Sequence, residues 1–399
     1  MNHLVKILTS QGLYGAVLAT LTFVLIGWII TRKGLFTKEI NGKISKFLLD
    51  WALPFLCLVA FMVPADATIG KEVGVVIGLS AAFYILMAVY SFVIVKFFPR
   101  LISTKLRAKA RLAYEKSDKS ATSVKYEEAY VESYAQKILA AQMMVSYASL
   151  QFFAVPLVNV LGKEVFGGTG TALLQVWNLP YMIGAFSYLK FQYSGQKFTK
   201  DQVKPVVKAL FTPMLVILYA SMILWALQFI PGLNAKLTTN PSDPFNFATD
   251  VTKGKQFWEG LLVRFPAIGV IVKAGISIIS PLAWIVIGGS LASSNLKKAA
   301  VDKDVWITTA RMLIIRPLVI FGIIAGLVYL RAINSQTGTL IVVLAACPPA
   351  AVTIIFSAAY KHEHTTFTAE VNSLGTLCCL LALPVWTVIA HATYSSIIS

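Results

Sequence analysis

Two short stretches interrupt long apolar segments: Ala346-Cys347-Pro348-Pro349-Ala350 and Ser149-Leu150-Gln151-Phe152-Phe153-Ala154-Val155-Pro156. Proline lacks a backbone donor and clashes with the carbonyl four residues before it, so both segments are predicted to be broken helices. Interrupted backbone at membrane depth is tolerated only where it is buried in protein or lines a wet cavity. Two broken helices in equivalent positions of two halves indicate a transport site, with two ordinary kinks as the alternative.

The composition agrees with a membrane protein. Of the 399 residues, 57% are hydrophobic and only 13% are charged, with a mean hydropathy of +0.72. Soluble proteins have about 45–50% apolar and about 25% charged residues, which argues against an ordinary soluble enzyme. Disordered chains have low hydrophobicity, so that class is also excluded.

Ten apolar stretches have the length of about 20 residues that a helix needs to cross a bilayer. They are residues 13–31, 43–63, 73–97, 138–161, 169–190, 209–231, 265–291, 305–330, 338–359 and 366–390. The sequence therefore predicts an all-α polytopic membrane protein of ten transmembrane helices.

The net charge of +17 predicts the orientation. With the N-terminus outside, 22 of the 35 Lys and Arg residues fall in the inner segments 32–42, 96–137, 190–208, 293–304 and 360–365. This bias predicts a multi-pass plasma-membrane protein, as in the bacterial cell membrane, with both termini extracellular. The basic loop 98–137 is expected near anionic lipid rather than nucleic acid, and the outer loop 232–263 is expected to cap the bundle.

The ten spans divide into five and five that begin on opposite sides of the membrane, which is the layout of an inverted repeat. We expect a first repeat over 1–190, a cytoplasmic linker over 191–208 and a second repeat over 209–399. Ordered proline pairs support this division: Pro54 with Pro281, Pro156 with Pro349, and Pro180 with Pro384.

Several motifs resemble the auxin efflux carrier family, whose bacterial members include malate and malonate permeases. They are Trp51-Ala52-Leu53-Pro54-Phe55, Gly288-Gly289-Ser290-Leu291-Ala292, Arg316-Pro317, Ala346-Cys347-Pro348-Pro349-Ala350, and Ser373-Leu374-Gly375-Thr376 with Pro384. The resemblance implies a secondary transporter whose spans 4 and 9 unwind and cross at Pro156 and Pro349. It also implies a scaffold of spans 1, 2, 6 and 7 that forms a homodimer, with the other spans moving as an elevator. The chain departs from the family where an Asn is expected about seven residues before the span-4 proline: it has Ser149, followed by Gln151.

Ionisable residues inside spans are costly and are candidates for function. Arg316 lies near the middle of span 8, and its guanidinium suits a carboxylate, with a structural role against Asp50 or freed carbonyls as the alternative. Asp50 is a candidate for coupling to H⁺ or Na⁺, or else a partner of Lys46. Arg311 is expected to extend towards the inner surface.

Neutral groups at the breaks complete the predicted site. The substrate-binding set comprises Arg316, Ser149, Gln151, Pro156, Pro348, Pro349 and Thr353. The ion-coupling set comprises Asp50, Glu370, Asn372 and Ser373, with an interfacial position as the alternative for Glu370. Most Ser and Thr in membrane helices bond back to a carbonyl, so each alone is a weak signal.

The sequence as a whole predicts a secondary transporter, or symporter, of a small organic anion such as malate. No metalloprotease, serine hydrolase or ATP-binding motif is found, so neither an enzyme nor a cofactor beyond the coupling ion is expected. The expected partners are the organic anion, membrane lipid and a second copy of the chain. The alternatives are a membrane ligand sensor with a transporter-like fold, and a passive anion channel.

Overall fold

The computed structural model describes residues 11–115, 122–195, 203–240, 243–249 and 254–398. Parts of the predicted linker 191–208 and of the loops 98–137 and 232–263 therefore lie outside the described residues. The described chain is almost entirely helical, as the composition predicts. Its first half contains α1 (Gln11–Arg32), α2 (Lys38–Phe47), α3 (Leu53–Ala60), α4 (Ala67–Leu101), α5 (Ser103–Tyr114), α6 (Ser123–Ser146), α7 (Val155–Phe166), α8 (Gly170–Gly184) and α9 (Lys190–Ser194).

The second half continues with a short helix, a hairpin and a further set of apolar helices. These are α10 (Val203–Ala209), α11 (Pro213–Leu227), β1 (Leu237–Asn240), β2 (Asp243–Thr249), α12 (Leu261–Arg264), α13 (Pro266–Ser277), α14 (Ile279–Ala292), α15 (Leu296–Val301), α16 (Lys303–Ala310), α17 (Arg316–Tyr329), α18 (Ser335–Ala346), α19 (Ala351–Ala359) and α20 (Thr365–Ile398).

Five helical segments of the described chain are long and apolar enough to cross a membrane. They are Tyr14–Arg32, Ala67–Leu101, Pro266–Ala292, Lys303–Tyr329 and Thr365–Ile397. Shorter apolar helices are Leu150–Gly162, Pro213–Leu227 and Ser335–Ala346. Each of the ten predicted stretches falls largely on helix. The described chain is thus predominantly α-helical and has the character of a membrane protein.

Wide π-helical turns accommodate three of the prolines. The residue before each proline donates its N–H five residues back: Leu53 to Leu48, Val155 to Leu150, and Arg316 to Arg311. The wider turn relieves the clash that a proline ring makes with the carbonyl four residues before it. The helices therefore continue through Pro54, Pro156 and Pro317 rather than ending there.

Helices α1 and α14 make a very close contact. A Cβ on Gly288 in α14 would overlap the Val24 carbonyl of α1 and lie 2.8 Å from the Trp28 nitrogen. A Cβ on Gly27 in α1 would in turn meet the Ile285 backbone of α14. Small residues of this kind allow two membrane helices to approach backbone to backbone.

The segment after α11 forms a small antiparallel hairpin that the prediction of an all-helical chain missed. Strands β1 and β2 pair with Leu237 opposite Thr249. The Gln256 side chain bonds both the N–H and the C=O of Ala65, and Gln228 Oε1 accepts from the N–H groups of Trp258 and Glu259 at 2.9 Å. The loop is thereby attached to α11 and to the segment after α3.

We predict that Gly288→Ala lowers the free energy of unfolding by about 1–3 kcal/mol, because overpacking a close contact forces backbone shifts. Gly322→Ala in α17 is the matched control, since a Cβ there meets open space. Alanine is favoured over glycine in a helix interior by about 0.5–1 kcal/mol, so the control is expected to be unchanged or slightly stabilised. Thermal unfolding in detergent measures both, and equal melting temperatures would contradict the close contact.

Candidate functional site

The two interrupted helices cross at the centre of the molecule. Ser149 donates its N–H to the Pro348 carbonyl at 2.7 Å, and Ala350 donates to the Tyr147 carbonyl at 2.9 Å. These bonds form an antiparallel bridge between Ala148 and Pro349. Each break thus supplies hydrogen-bond partners that the other lacks, as buried backbone at membrane depth requires.

The double proline explains the break between α18 and α19. Neither Pro348 nor Pro349 has an N–H, and a residue before proline is pushed into extended backbone. Cys347 accordingly has φ −66° and ψ 150°, and α18 ends at Ala346. The next N–H, that of Ala350, makes the bond across the crossing.

The break between α6 and α7 lies elsewhere than the resemblance implies. It spans residues 147–149, with Tyr147 extended at φ −111° and ψ 106°. Pro156 lies seven residues after Ser149, inside the helix that follows, because the π-helical turn Leu150–Ala154 relieves its clash. The prediction that this segment crosses at Pro156 is therefore wrong. Pro349 does lie at the crossing.

Arg316 joins the ends of both interrupted helices. Its Nε donates to the Ala345 carbonyl at 2.7 Å, its Nη2 to the Cys347 carbonyl at 2.6 Å, and its Nη1 to the Val145 carbonyl. These acceptors lie at the C-terminal ends of α6 and α18, where the helix dipole favours a cation. Of the two structural partners considered for Arg316, the freed carbonyls are the ones it contacts.

The charge of Arg316 has no acidic partner among the residues that the structure describes. The residue is 6% exposed, and no ion pair joins it to a carboxylate within the described chain. A guanidinium has five N–H donors, of which three are used here. The crossing therefore carries a buried positive charge held by main-chain dipoles alone.

The polar side chains at the crossing differ in whether they are already bonded. The Thr353 hydroxyl donates back to the Ala350 carbonyl at 2.6 Å, and it also lies 2.9 Å from Met144 Sδ. Both amide atoms of Gln151 are buried without a hydrogen-bond partner. The Ser149 hydroxyl likewise makes no bond within the described residues, although its backbone N–H does. Gln151 and Ser149 are thus the groups with free hydrogen-bonding capacity.

Two helical segments begin at the crossing and run away from it. The π-helical turn that precedes α7 starts at Leu150, and the nine-residue helix α19 starts at Ala351. The first N–H groups of a helix lack intrahelical acceptors and carry partial positive charge. The N–H groups of Ser149, Leu150 and Ala350 are already bonded, so the positive character of the two helix starts and of the Arg316 guanidinium is directed to a region beside residues 151 and 351.

The predicted ion-coupling residues lie on two different elements: Asp50 in the π-helical turn Leu48–Ala52, and the other three within one turn of α20. Asp50 is half-buried in the π-helical turn before Pro54, and no ion pair to Lys46 or any other described residue holds it. Glu370 is buried in α20 and pairs with Lys298 Nζ at 2.9 Å. The Ser373 hydroxyl bonds back to the Ala369 carbonyl at 2.8 Å, and the neighbouring Asn372 is half-buried.

Several buried polar groups escaped the sequence analysis. Glu72 is 6% exposed and accepts from Asn334 Nδ2 at 2.5 Å and from the Thr337 hydroxyl at 3.3 Å, at the N-terminus of α18. Gln175 in α8 is fully buried with both amide atoms unpartnered. The predicted span 73–97 begins just after Glu72. The helix α4 begins earlier, after its N-cap Asp66, and therefore includes Glu72.

Two histidines hold the turn after α19 against α6. His364 Nε2 lies 2.7 Å from the Ser133 carbonyl, and His362 Nε2 lies 3.3 Å from Gln136 Oε1. Burial, with the nearby His364, lowers the pKa of His362 below its usual value. This turn therefore couples the end of α19 to the helix that carries the other break. Within the described residues, no three His, Cys, Asp or Glu side chains are grouped as a metal site.

No family model matches the chain, and no curated protein sequence matches it. The resemblance to the auxin efflux carrier family accordingly remains a proposal.

We predict that Arg316→Ala lowers the free energy of unfolding by about 3 kcal/mol or more, because each buried carbonyl left unpaired costs roughly 1–3 kcal/mol. Arg100→Ala is the control, since Arg100 is an exposed arginine at the end of α4. Thermal unfolding in detergent compares the two variants. If both melt like the parent chain, the three carbonyl contacts contribute nothing to stability.

Proposed function

We propose that this chain is a secondary active transporter of a small organic anion, of the malate or malonate class. The observation that carries the proposal is the backbone crossing of two interrupted helices, from which two helical segments begin beside a buried arginine. Discontinuous helices of this kind form the substrate sites of many secondary transporters. The anion is proposed to bind beside Gln151 and Ser149.

The architecture that we propose around this site is a bundle of ten spans in two inverted five-helix repeats, residues 1–190 and 209–399. The support comes from the matched interruptions after α6 and α18. We place the protein in the plasma membrane with both termini outside, on the distribution of Lys and Arg. A homodimer through spans 1, 2, 6 and 7 would hold the scaffold while the other spans move as an elevator.

Electrostatics favours an anionic substrate over a cation. The Arg316 charge is buried and lacks a carboxylate partner in the described chain, and charges interact strongly where the dielectric constant is low. The helix N-termini add partial positive charge of the same sign. A carboxylate near the crossing would be stabilised by both, whereas a cation would be repelled by both.

We predict that Gln151→Leu reduces saturable carboxylate uptake into proteoliposomes by about tenfold or more, since a hydrogen bond to a charged group contributes about 1.5–3 kcal/mol. The variant should keep its melting temperature, because the Gln151 amide has no partner to lose. Gln336→Leu at the start of α18 is the matched control and should transport normally. Full uptake by Gln151→Leu would remove Gln151 from the site, and flux that rises without saturation would favour a channel.

Coupling to H⁺ or Na⁺ is proposed to use Asp50, the half-buried carboxylate that no ion pair holds in the described chain. We predict that Asp50→Asn abolishes accumulation driven by an imposed H⁺ or Na⁺ gradient while leaving downhill exchange. Glu39→Gln is the control, because that exposed carboxylate pairs with Lys43 in α2 and lies outside the predicted site. Gradient-driven accumulation that survives Asp50→Asn would exclude Asp50 as the coupling group.

A further inference from the structure

A long groove separates α4 from the helix formed by α16, its π-helical turn and α17. Two adjoining cavities, of about 360 and 430 Å³, lie in this groove, and Tyr90 and Arg311 line both of them. The larger cavity is lined almost entirely by apolar side chains. Leu86, Val319 and Ile323 on its walls are 65%, 55% and 54% exposed. In a membrane, such exposed apolar walls contact acyl chains.

Arg311 supplies a cation where the two cavities meet. Its Nη2 donates to Gln142 Oε1 at 2.9 Å and to the Tyr90 hydroxyl at 3.3 Å, and both partners are neutral. No carboxylate of the described chain forms an ion pair with it. Its charge is therefore available to an anion that enters the groove.

Two further charges of the groove neutralise each other. The smaller cavity is also lined by Lys137 and Asp304, whose Nζ and Oδ2 atoms lie 2.6 Å apart. Arg311 and Arg316 thus leave the lining with two positive charges that no ion pair of the described chain balances. The Arg316 N–H groups already bond three carbonyls, whereas Arg311 lies where the two cavities meet. The groove combines an unpaired cation with an apolar channel, which is the complement of an amphiphile with an anionic headgroup.

We propose that this groove binds one anionic phospholipid, with the phosphate at Arg311 and an acyl chain along Leu86, Val319 and Ile323. The site adjoins the proposed substrate site, because Arg316 lines the larger cavity, but neither Ser149 nor Gln151 lines either cavity. The basic segment of α5 lies on the same side of the bundle and would enrich anionic lipid there.

The test is native mass spectrometry of the full chain in detergent, titrated with phosphatidylglycerol or with phosphatidylcholine of the same acyl chains. We expect phosphatidylglycerol to bind about fivefold more tightly, the size of one basic residue's contribution at an anionic membrane surface. Arg311→Gln should lose that preference. Lys303→Gln, an exposed basic residue on the same helix and the same side, should keep it.

A second variant tests the apolar part of the groove independently of Arg311 and of its effect on folding. Val319→Trp, at an exposed position of α17, should fill the groove and weaken the binding of both lipids to the same extent. Equal binding of the two lipids by the parent chain, or a preference that survives Arg311→Gln, would overturn the proposal. Displacement of the lipid by millimolar inorganic phosphate would also overturn it, by showing a site for soluble anions instead.

Discussion

The structure depends on one constraint: backbone groups released where a helix is interrupted inside the membrane must find partners in the protein. Ser149 and Ala350 satisfy part of this need by bonding across the crossing. Arg316 satisfies most of the rest, because its planar guanidinium reaches carbonyls of both interrupted helices at once. The proline-rich break, the crossing and the buried arginine therefore act together to give the freed backbone groups hydrogen-bond partners.

The same constraint explains how the other prolines are tolerated. A π-helical turn before Pro54, Pro156 and Pro317 gives the preceding N–H a more distant acceptor and makes room for the ring. The carbonyl that Pro317 leaves without its usual donor, that of Leu313, instead accepts from Trp386 Nε1 at 2.8 Å. Local widening and a single distant side chain together keep these helices continuous.

Hydropathy and proline positions were enough to predict the helical class, the break at Pro348 and Pro349, and the importance of Arg316. They could not predict the break at 147–149, because the sequence there contains no proline and the extended backbone is stabilised by the partner segment. The contacts of Arg316 join residues 29 to 171 positions apart, so no local pattern reveals them. The β-hairpin was missed because its strands are short and lie in a polar loop.

The partners of Arg316 are main-chain carbonyls, and this has a consequence for how the protein can vary. An ion pair between two side chains can be exchanged, reversed in sign or rebuilt at a neighbouring position by compensating substitutions. A carbonyl oxygen is the same in every residue, so no change of side chain at positions 145, 345 or 347 can restore a lost guanidinium. A genetic screen for second-site suppressors of Arg316 substitutions should consequently find changes in overall stability rather than a replacement partner.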